Sequence, residues 1–184
     1  MQKLKLRSLP EQASQLLCEH NAPPRLVAHL ELVHDVACQL VEKLSAKLPA
    51  LQFDHSAVLF GAATHDIGKA LCRSELTAKG NDHEPRGHEL LIAAGFPENY
   101  ARFALTHGGP RREPNPTIED LLVRAADAIW KGGRYETSEA EMVDAIARIT
   151  GQPQWEVFSV LDDIYTEIAA SADERLAYQN QFPA

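Results

Sequence analysis

The stretch that decides the fold is FGAATHDIGKAL, residues 60–71, in which a run of small and apolar residues is interrupted by His65, Asp66 and Lys69. Three ionisable groups within five positions are unusual in a helix that enters a hydrophobic core, because burying such groups without partners is costly. These side chains are therefore either solvated or bound to a ligand. The sequence on both sides decides between the two interpretations.

The neighbouring sequence has the periodicity of α-helices. Between residues 25 and 48, apolar residues recur in steps of three and four after Pro23 and Pro24, which is typical of a long amphipathic helix. A second helix is predicted from about residue 56 to His65, with Asp54 as its N-cap. His65 therefore lies at the end of a helix.

The rest of the chain is also predicted to be helical. Helices are expected at 87–94, 97–106, 117–131, 142–150 and 153–178, with a polar loop at 72–85. A capping-box pattern, Ser138 with Glu141, precedes the helix at 142–150. The sequence shows no convincing strand pair, internal repeat or low-complexity linker. We predict a single all-α domain over residues 1–184, with a C-terminal helical extension of the same bundle at about 132–184.

Composition and charge limit the class of protein. The chain has 184 residues, of which 45% are hydrophobic and 24% charged, as expected for a globular domain. It contains no apolar run long enough for a membrane span, and its basic N-terminus lacks the apolar stretch of a secretory signal. Cys18, Cys38 and Cys72 lack metal-ligand spacing, and the net charge of −8 disfavours nucleic acid as a partner. We therefore expect a cytoplasmic protein that does not enter a membrane.

Several side chains that can bind metals lie where polar residues are unexpected. His29 is on the apolar side of its helix, His65 and His107 each end a helix, and Asp127 is surrounded by alanine and isoleucine. Each alone is a weak signal, because a lone histidine on an apolar face is more often a hydrogen-bonded core residue. In combination, such residues are typical of a metal site inside a helical bundle.

The order of these residues resembles a known family. His29, then His65 and Asp66, then Asp127 resemble the H…HD…D signature of the HD-domain superfamily of metal-dependent phosphohydrolases. The similarity rests on the segments HLELVHDVA, ATHDIGK and RAADAIWKG and covers about residues 25–131. It implies an HD-domain-like helical bundle whose core is that part of the chain.

Binuclear members of the superfamily have two further histidines, which are matched here by His83 in HEPRG and by His107. The resemblance thus implies six metal ligands, namely His29, His65, Asp66, His83, His107 and Asp127. Nitrogen and oxygen ligands without a thiolate suit Fe, Mn, Co, Ni or Zn, so the implied cofactor is one or two divalent transition metals. In a binuclear centre Asp66 would bridge the two metals.

Cationic side chains near these positions predict a small anionic substrate that contains phosphate. Lys69 lies one helical turn beyond His65 and can reach a phosphate oxygen. Further candidates for substrate binding, in loops beside the histidines or one turn after Asp127, are Arg86, Arg111, Arg112 and Lys131. The alternative interpretation of each cation is a solvated surface residue.

His88 leaves the ligand set open, because it follows Gly87 directly, where the family pattern usually has a small residue. His88 could replace His83 as a ligand, or cap its helix. It could also donate a proton to the leaving group and so be a catalytic residue beside Asp66 and Lys69. The spacing of the H-x-x-x-G pattern favours His83 as the ligand.

The resemblance implies a metal-dependent phosphohydrolase that cleaves a small phosphate ester or nucleotide with a metal-bound hydroxide. One alternative is a mixed-valent diiron oxygenase of the same superfamily, which uses the same six ligands. The other is a non-catalytic regulatory domain that binds a nucleotide, which an intact ligand set disfavours. The C-terminal extension is expected to form a lid, the surface of a homodimer or ordinary bundle packing, with Trp130, Trp155 and Phe158 in the core.

Overall fold

A computed structural model describes residues 4–108 and 115–183, and every regular element within these ranges is a helix. The α-helices, in chain order, are α1 (Glu11–Glu19), α2 (Pro24–Lys47), α3 (His55–Thr64), α4 (His83–Ala93), α5 (Glu98–Ala101), α6 (Phe103–Thr106), α7 (Ile118–Ile129), α8 (Glu136–Thr150), α9 (Gln154–Ala169) and α10 (Ala172–Gln179). Two 3-10 helices, Ile67–Ala70 and Arg73–Leu76, connect α3 to α4. The predicted all-α fold is confirmed.

Helix α2 forms the centre of the bundle, because α3, α7, α9 and α10 all pack against it. Most of the predicted apolar stripe is buried, since Leu30, Val33, Leu40 and Leu44 have no exposed surface, whereas Val27 is only partly buried. Burying an aliphatic side chain of this size contributes about 1.5 to 3 kcal/mol. The stripe therefore holds α2 in place, and with it His29 near the N-terminus of the helix.

Helices α3 and α7 begin at side chains that cap them. Asp54 is the N-cap of α3, as predicted, and its Oδ1 accepts a hydrogen bond of 2.9 Å from the Ala57 amide. Thr117 and Asp120 form a capping box at α7, in which the Thr117 amide donates to Asp120 Oδ2 over 2.8 Å and the Asp120 amide donates to Thr117 Oγ1 over 3.3 Å. Both caps satisfy amides that the start of a helix leaves without intrahelical partners.

Asp120 also connects α6 to α7. It has no exposed surface, and it accepts hydrogen bonds from Thr106 Oγ1 at 2.7 Å and from Arg102 Nη2 at 2.6 Å. Arg124 extends the connection, because its Nε donates to the Thr106 carbonyl at 2.8 Å. This network holds the end of α6, where His107 follows, against α7.

The chain between α3 and α4 is more regular than the predicted loop at 72–85. A 3-10 helix spans Arg73–Leu76, and α4 begins at His83 rather than at residue 87. Pro85 is compatible with this early start, because the first amides of a helix have no intrahelical hydrogen bond to lose. His83 is consequently the first residue of a helix.

Other predicted boundaries are also wrong. Helix α1 was not predicted, although it buries Leu16 and Leu17, and the helix expected at 97–106 is divided into α5 and α6. The capping box of Ser138 and Glu141 does not form, because α8 begins before Ser138, with Tyr135 as its N-cap. A local pattern of residues does not show which of several possible starts the neighbouring helices select.

The helix predicted at 153–178 is divided into α9 and α10, and a side chain of α10 contacts the end of α9. Arg175 is only 2% exposed, and its Nη1 donates to the Ile168 carbonyl near the end of α9 at 2.9 Å. The same Nη1 lies 3.5 Å from the Trp130 carbonyl. A buried side chain thus takes over a carbonyl that α9 would otherwise satisfy by continuing.

Helices α8 and α9 share the hydrophobic core of α2 and α7, to which they contribute Met142, Ile146, Val157 and Ile164. We propose on this ground that residues 132–184 extend the bundle rather than form a separate domain. Within the described ranges, no helix combines the length and the apolarity that a membrane span needs.

The aromatic residues of the C-terminal half differ from the prediction. Trp130 is 4% exposed and belongs to the core, as predicted. Trp155 and Phe158 are 70% and 53% exposed, so their predicted place in the core is wrong. Both lie on the face of α9 that borders a groove between α8 and α9.

Candidate metal centre

Six side chains that the sequence predicts as ligands meet between α2, α3, α4, α6 and α7, and they fall into two groups. The ligand atoms of the first group lie within 4.8 Å of one another, as do those of the second. The first group is His29, His65 and Asp127, and the second group is Asp66, His83 and His107.

Asp66 lies between the two groups. Its Oδ2 is 3.3 Å from His29 Nε2 and 3.7 Å from His65 Nε2. Its Oδ1 is 3.2 Å from His83 Nε2 and 3.4 Å from His107 Nε2. One carboxylate oxygen therefore faces each group, which is the arrangement that a bridging ligand needs.

Three donor atoms of the first group converge on one point. His29 Nε2 lies 3.4 Å from Asp127 Oδ1, and His65 Nε2 lies 3.5 Å from the same oxygen. The two Nε2 atoms of His29 and His65 are themselves 3.4 Å apart. Such spacing suits atoms that share one cation.

Backbone carbonyls orient two of the imidazole rings. His65 Nδ1 lies 3.1 Å from the Ala62 carbonyl, and His107 Nδ1 lies 3.0 Å from the Phe103 carbonyl. A carbonyl only accepts hydrogen bonds, so each Nδ1 carries the proton and each Nε2 presents its lone pair to the cluster. This tautomer is the one that a metal ligand requires.

Two buried atoms of the second group show whether the residues suit a metal ion. Asp66 and His83 are 4% and 5% exposed. Neither Asp66 Oδ1 nor His83 Nε2 forms a hydrogen bond with any described residue, although the two atoms lie 3.2 Å apart. Because an unpaired buried carboxylate oxygen is costly, a cation between the two atoms is the simplest way to satisfy both. The residues fit a divalent transition metal.

The histidines keep both carboxylates of the centre ionised. Burial by itself would raise the pKa of Asp66, but in the metal-free protein imidazoles that carry a second proton on Nε2, His65 first among them, hold it well below its usual range. A bound metal takes the place of that proton. Burial opposes ionisation of Asp127 in the same way, whereas His65 and His29 lower its pKa. An ionised carboxylate is the form that binds a metal.

A cavity of about 230 Å³ borders the first group, and we refer to it as the polar cavity. Its walls are formed by Arg25, Leu26, His29, Asp66, Lys69, Glu75, Leu76, Asp127, Lys131 and Gln179. Lys69 and Lys131 were predicted from the sequence, whereas Arg25, Glu75 and Gln179 were not. Arg25 is one turn before His29 on α2, and this spacing is the one feature of the sequence that could have placed Arg25 beside the centre.

Lys69 contacts the centre directly. Its Nζ donates to Asp66 Oδ2 over 2.5 Å, and its side chain is 22% exposed in the wall of the polar cavity. The ammonium group therefore lies within reach of both the carboxylate and a ligand in the cavity.

The other predicted site residues lie elsewhere. His88 Nε2 is 2.8 Å from Glu98 Oε2 and belongs to neither group, so the structure brings His83 and not His88 to the centre. Arg86 is exposed on α4 and is not in the wall of the polar cavity. Arg111 and Arg112 lie outside the described residues.

Comparison with known proteins agrees with this geometry. The family model of the HD domain matches residues 26–130, more than half of the chain, and this segment contains all six side chains of the two groups. Searches of curated proteins and of solved structures returned no match. From its match to the family model and its helical fold, we conclude that the chain belongs to the HD-domain family.

Proposed function

We propose that this chain is a metal-dependent phosphohydrolase that cleaves a small phosphate ester or a nucleotide. The observation that carries the proposal is the position of Asp66, whose two oxygens each face a separate group of donors. A carboxylate in this position can hold two metals close together, and such a pair can stabilise the attacking and leaving oxygens of an in-line displacement at phosphorus. Membership of the HD-domain family supports a hydrolase as well.

The two groups assign the ligands of each metal. The first metal would be held by His29, His65, Asp127 and Asp66 Oδ2, and the second by His83, His107 and Asp66 Oδ1. When bound, the metals supply Lewis acidity and lower the pKa of water. The chain itself orients the imidazole rings of His65 and His107 through their Nδ1 atoms and buries His65, Asp66 and His83.

The wall of the polar cavity carries three cations and the three carboxylates of Asp66, Glu75 and Asp127, so bound divalent metals would make it favour an anionic substrate. Arg25, Lys69 and Lys131 line it, and such side chains form charge-assisted hydrogen bonds with phosphate oxygens. With about 230 Å³, the cavity is smaller than the pockets of roughly 300–1,000 Å³ that enclose drug-sized ligands. We therefore place the phosphoryl group inside the cavity and the rest of the substrate towards its opening.

The first test is elemental analysis of protein purified without added metal, followed by assays with a panel of phosphate esters and nucleotides. We expect about two equivalents of Fe, Mn, Co, Ni or Zn per chain, and phosphate release at equal rates with and without oxygen. Two irons with oxygen consumption and no phosphate release would replace the proposal by the diiron oxygenase. Less than about one equivalent under every condition would contradict the metal centre itself.

A substitution of Lys69 tests substrate binding separately from metal binding. Loss of a charge-assisted hydrogen bond costs about 1.5 to 3 kcal/mol, so Lys69→Met should lower kcat/KM about 10- to 100-fold at unchanged metal content. The matched control is Lys43→Met, which removes a lysine that pairs with Glu167 at 2.6 Å outside the cavity. Equal kcat/KM values for the two variants would contradict a role of Lys69 in binding phosphate.

A further inference from the structure

The carboxylate of Glu75 makes three contacts with the beginning of α4. It accepts hydrogen bonds from the Asp82 amide at 3.0 Å and from the His83 amide at 3.3 Å. Its Oε2 also accepts a short hydrogen bond from His83 Nδ1. The side chain of Glu75 is 9% exposed, although the residue as a whole is half-buried, and its carboxylate faces the start of the helix.

The contact with Glu75 gives the His83 ring a different kind of hydrogen-bond partner from those of the His65 and His107 rings. His65 and His107 are oriented by backbone carbonyls, whereas His83 is oriented by a carboxylate. Because Nδ1 of His83 carries the proton, its Nε2 is left with a lone pair that points towards Asp66 Oδ1 at 3.2 Å. A carboxylate on the far nitrogen makes an imidazole a stronger metal ligand than a carbonyl does.

The position of α4 is also fixed by a contact that does not involve Glu75. A Cβ atom placed on Gly68 would lie 1.9 Å from the His83 carbonyl oxygen and 2.7 Å from the Gly87 nitrogen. The backbone of α4 therefore packs directly on the backbone of the 3-10 helix Ile67–Ala70, which follows Asp66. This contact places the helix, and it leaves the rotation of the His83 ring to its side-chain partner.

We propose that Glu75 is a positioning residue that orients His83 and strengthens the second metal site, formed by Asp66, His83 and His107. The proposal rests on the metal centre proposed above. It predicts that the two metal sites respond differently to the loss of one carboxylate that touches neither metal.

The test is equilibrium dialysis of the metal-free protein against Zn²⁺, with elemental analysis to give two binding constants. Glu75→Ala should weaken one of the two sites about 10- to 100-fold and leave the other unchanged. Glu75→Gln keeps an oxygen acceptor but removes the charge, so it should recover only part of that loss, whereas a role confined to the hydrogen bonds with the amides of α4 predicts full recovery. His29→Ala identifies the sites, because it should weaken the one that Glu75→Ala spares.

The matched control is Glu98→Ala. It removes the carboxylate partner of His88, a second histidine of α4 that pairs with a glutamate at 2.8 Å but lies outside both groups. This variant should bind both Zn²⁺ ions with the constants of the wild-type protein. If Glu75→Ala has the Zn²⁺ binding constants of the wild-type protein, or loses affinity equally at both sites, the role of Glu75 alone is overturned. If the wild-type protein binds no Zn²⁺, the metal centre is overturned and this role with it.

Discussion

Two concave surfaces of this protein differ in size and in chemistry. The larger is a groove of about 690 Å³ between α8 and α9, whose walls include Val143, Trp155 and Phe158. The smaller is the polar cavity of about 230 Å³, which contains His29 and Asp66. Only the smaller surface contains donor atoms from the two clustered groups. Donor chemistry, and not volume, is therefore our ground for choosing the candidate site.

The charged groups of the two surfaces are satisfied in different ways. At the groove, Arg134 donates to Glu139 at 2.6 Å and to Asp162 at 2.8 Å, and Gln154 donates to Asp144 at 2.7 Å. Such exposed pairs contribute little to stability and are complete without a ligand. At the centre, by contrast, a buried carboxylate oxygen has no hydrogen bond from any described residue. A buried carboxylate oxygen without a hydrogen bond, together with five further metal-competent side chains around it, distinguishes the centre from the groove.

The largest expected effect comes from the bridging carboxylate. Asp66→Ala should lower the metal content from about two equivalents to less than one, because both groups lose a ligand, and should reduce phosphate release by at least about 1,000-fold. Elemental analysis and the phosphate assay measure the two changes. Asp144→Ala, which removes a carboxylate from the groove, should change neither. A variant Asp66→Ala that keeps its full metal content would remove the distinction between the two surfaces.

The two tryptophans provide a smaller contrast. Trp130 is 4% exposed and its ring packs on that of His29 in a T-shaped arrangement, with centroids 5.2 Å apart. Trp130→Ala should lower the free energy of unfolding by about 3 kcal/mol, the usual cost of removing a buried aromatic ring. Trp155→Ala should change it by no more than about 0.5 kcal/mol, because the side chain is mostly exposed.

Urea unfolding of the metal-free protein measures both tryptophan variants. A loss of stability in Trp155→Ala equal to that in Trp130→Ala would mean that the groove is covered by other parts of the molecule, and that the two surfaces differ less than the structure indicates.

The smallest expected effect concerns a buried group that is not part of the centre. Cys38 lies on α2, as His29 does, and burial raises the pKa of its thiol to about 11. A thiol with this pKa is neutral near pH 7 and is a poor metal ligand, so Cys38→Ala should leave the metal content unchanged. Because the folded-state pKa is raised, the contribution of the thiol to stability is complete below pH 9 and is lost as the pH rises towards 11.

Alkylation by iodoacetamide at pH 8 checks the state of Cys38. The exposed Cys18 should react first, and Cys38 should react only after the protein unfolds. Loss of metal in Cys38→Ala would show that a buried residue of α2 outside the two groups also takes part in metal binding. The two groups would then not define the metal centre completely.

The long, regular elements could be predicted because their signal is local. Apolar residues at steps of three and four mark α2, and the cap at Asp54 marks the start of α3. These helices carry or precede His29, His65 and Asp66, whose order in the chain points to the family before any distance is known. The start of α4 was misplaced because Pro85 has the local appearance of a loop residue, although the first turn of a helix tolerates it.

The partners of the ligands could not be predicted in this way. Glu75 lies in a segment without periodicity, and its contact with His83 depends on the packing of α4 on Gly68. Arg25 and Gln179 meet at the polar cavity from opposite ends of the chain. A local pattern contains no information about such a meeting.

The sequence by itself therefore determined the fold class, the central helices and the six residues that the family signature requires. Periodicity and capping depend on neighbours within one or two turns, and the order of ligands is a property of the chain alone. The tertiary structure alone decided that Asp66 faces two groups, that His83 and not His88 joins them, and that Trp155 is exposed. These outcomes depend on distances between residues far apart in the chain, which are set by how whole helices pack.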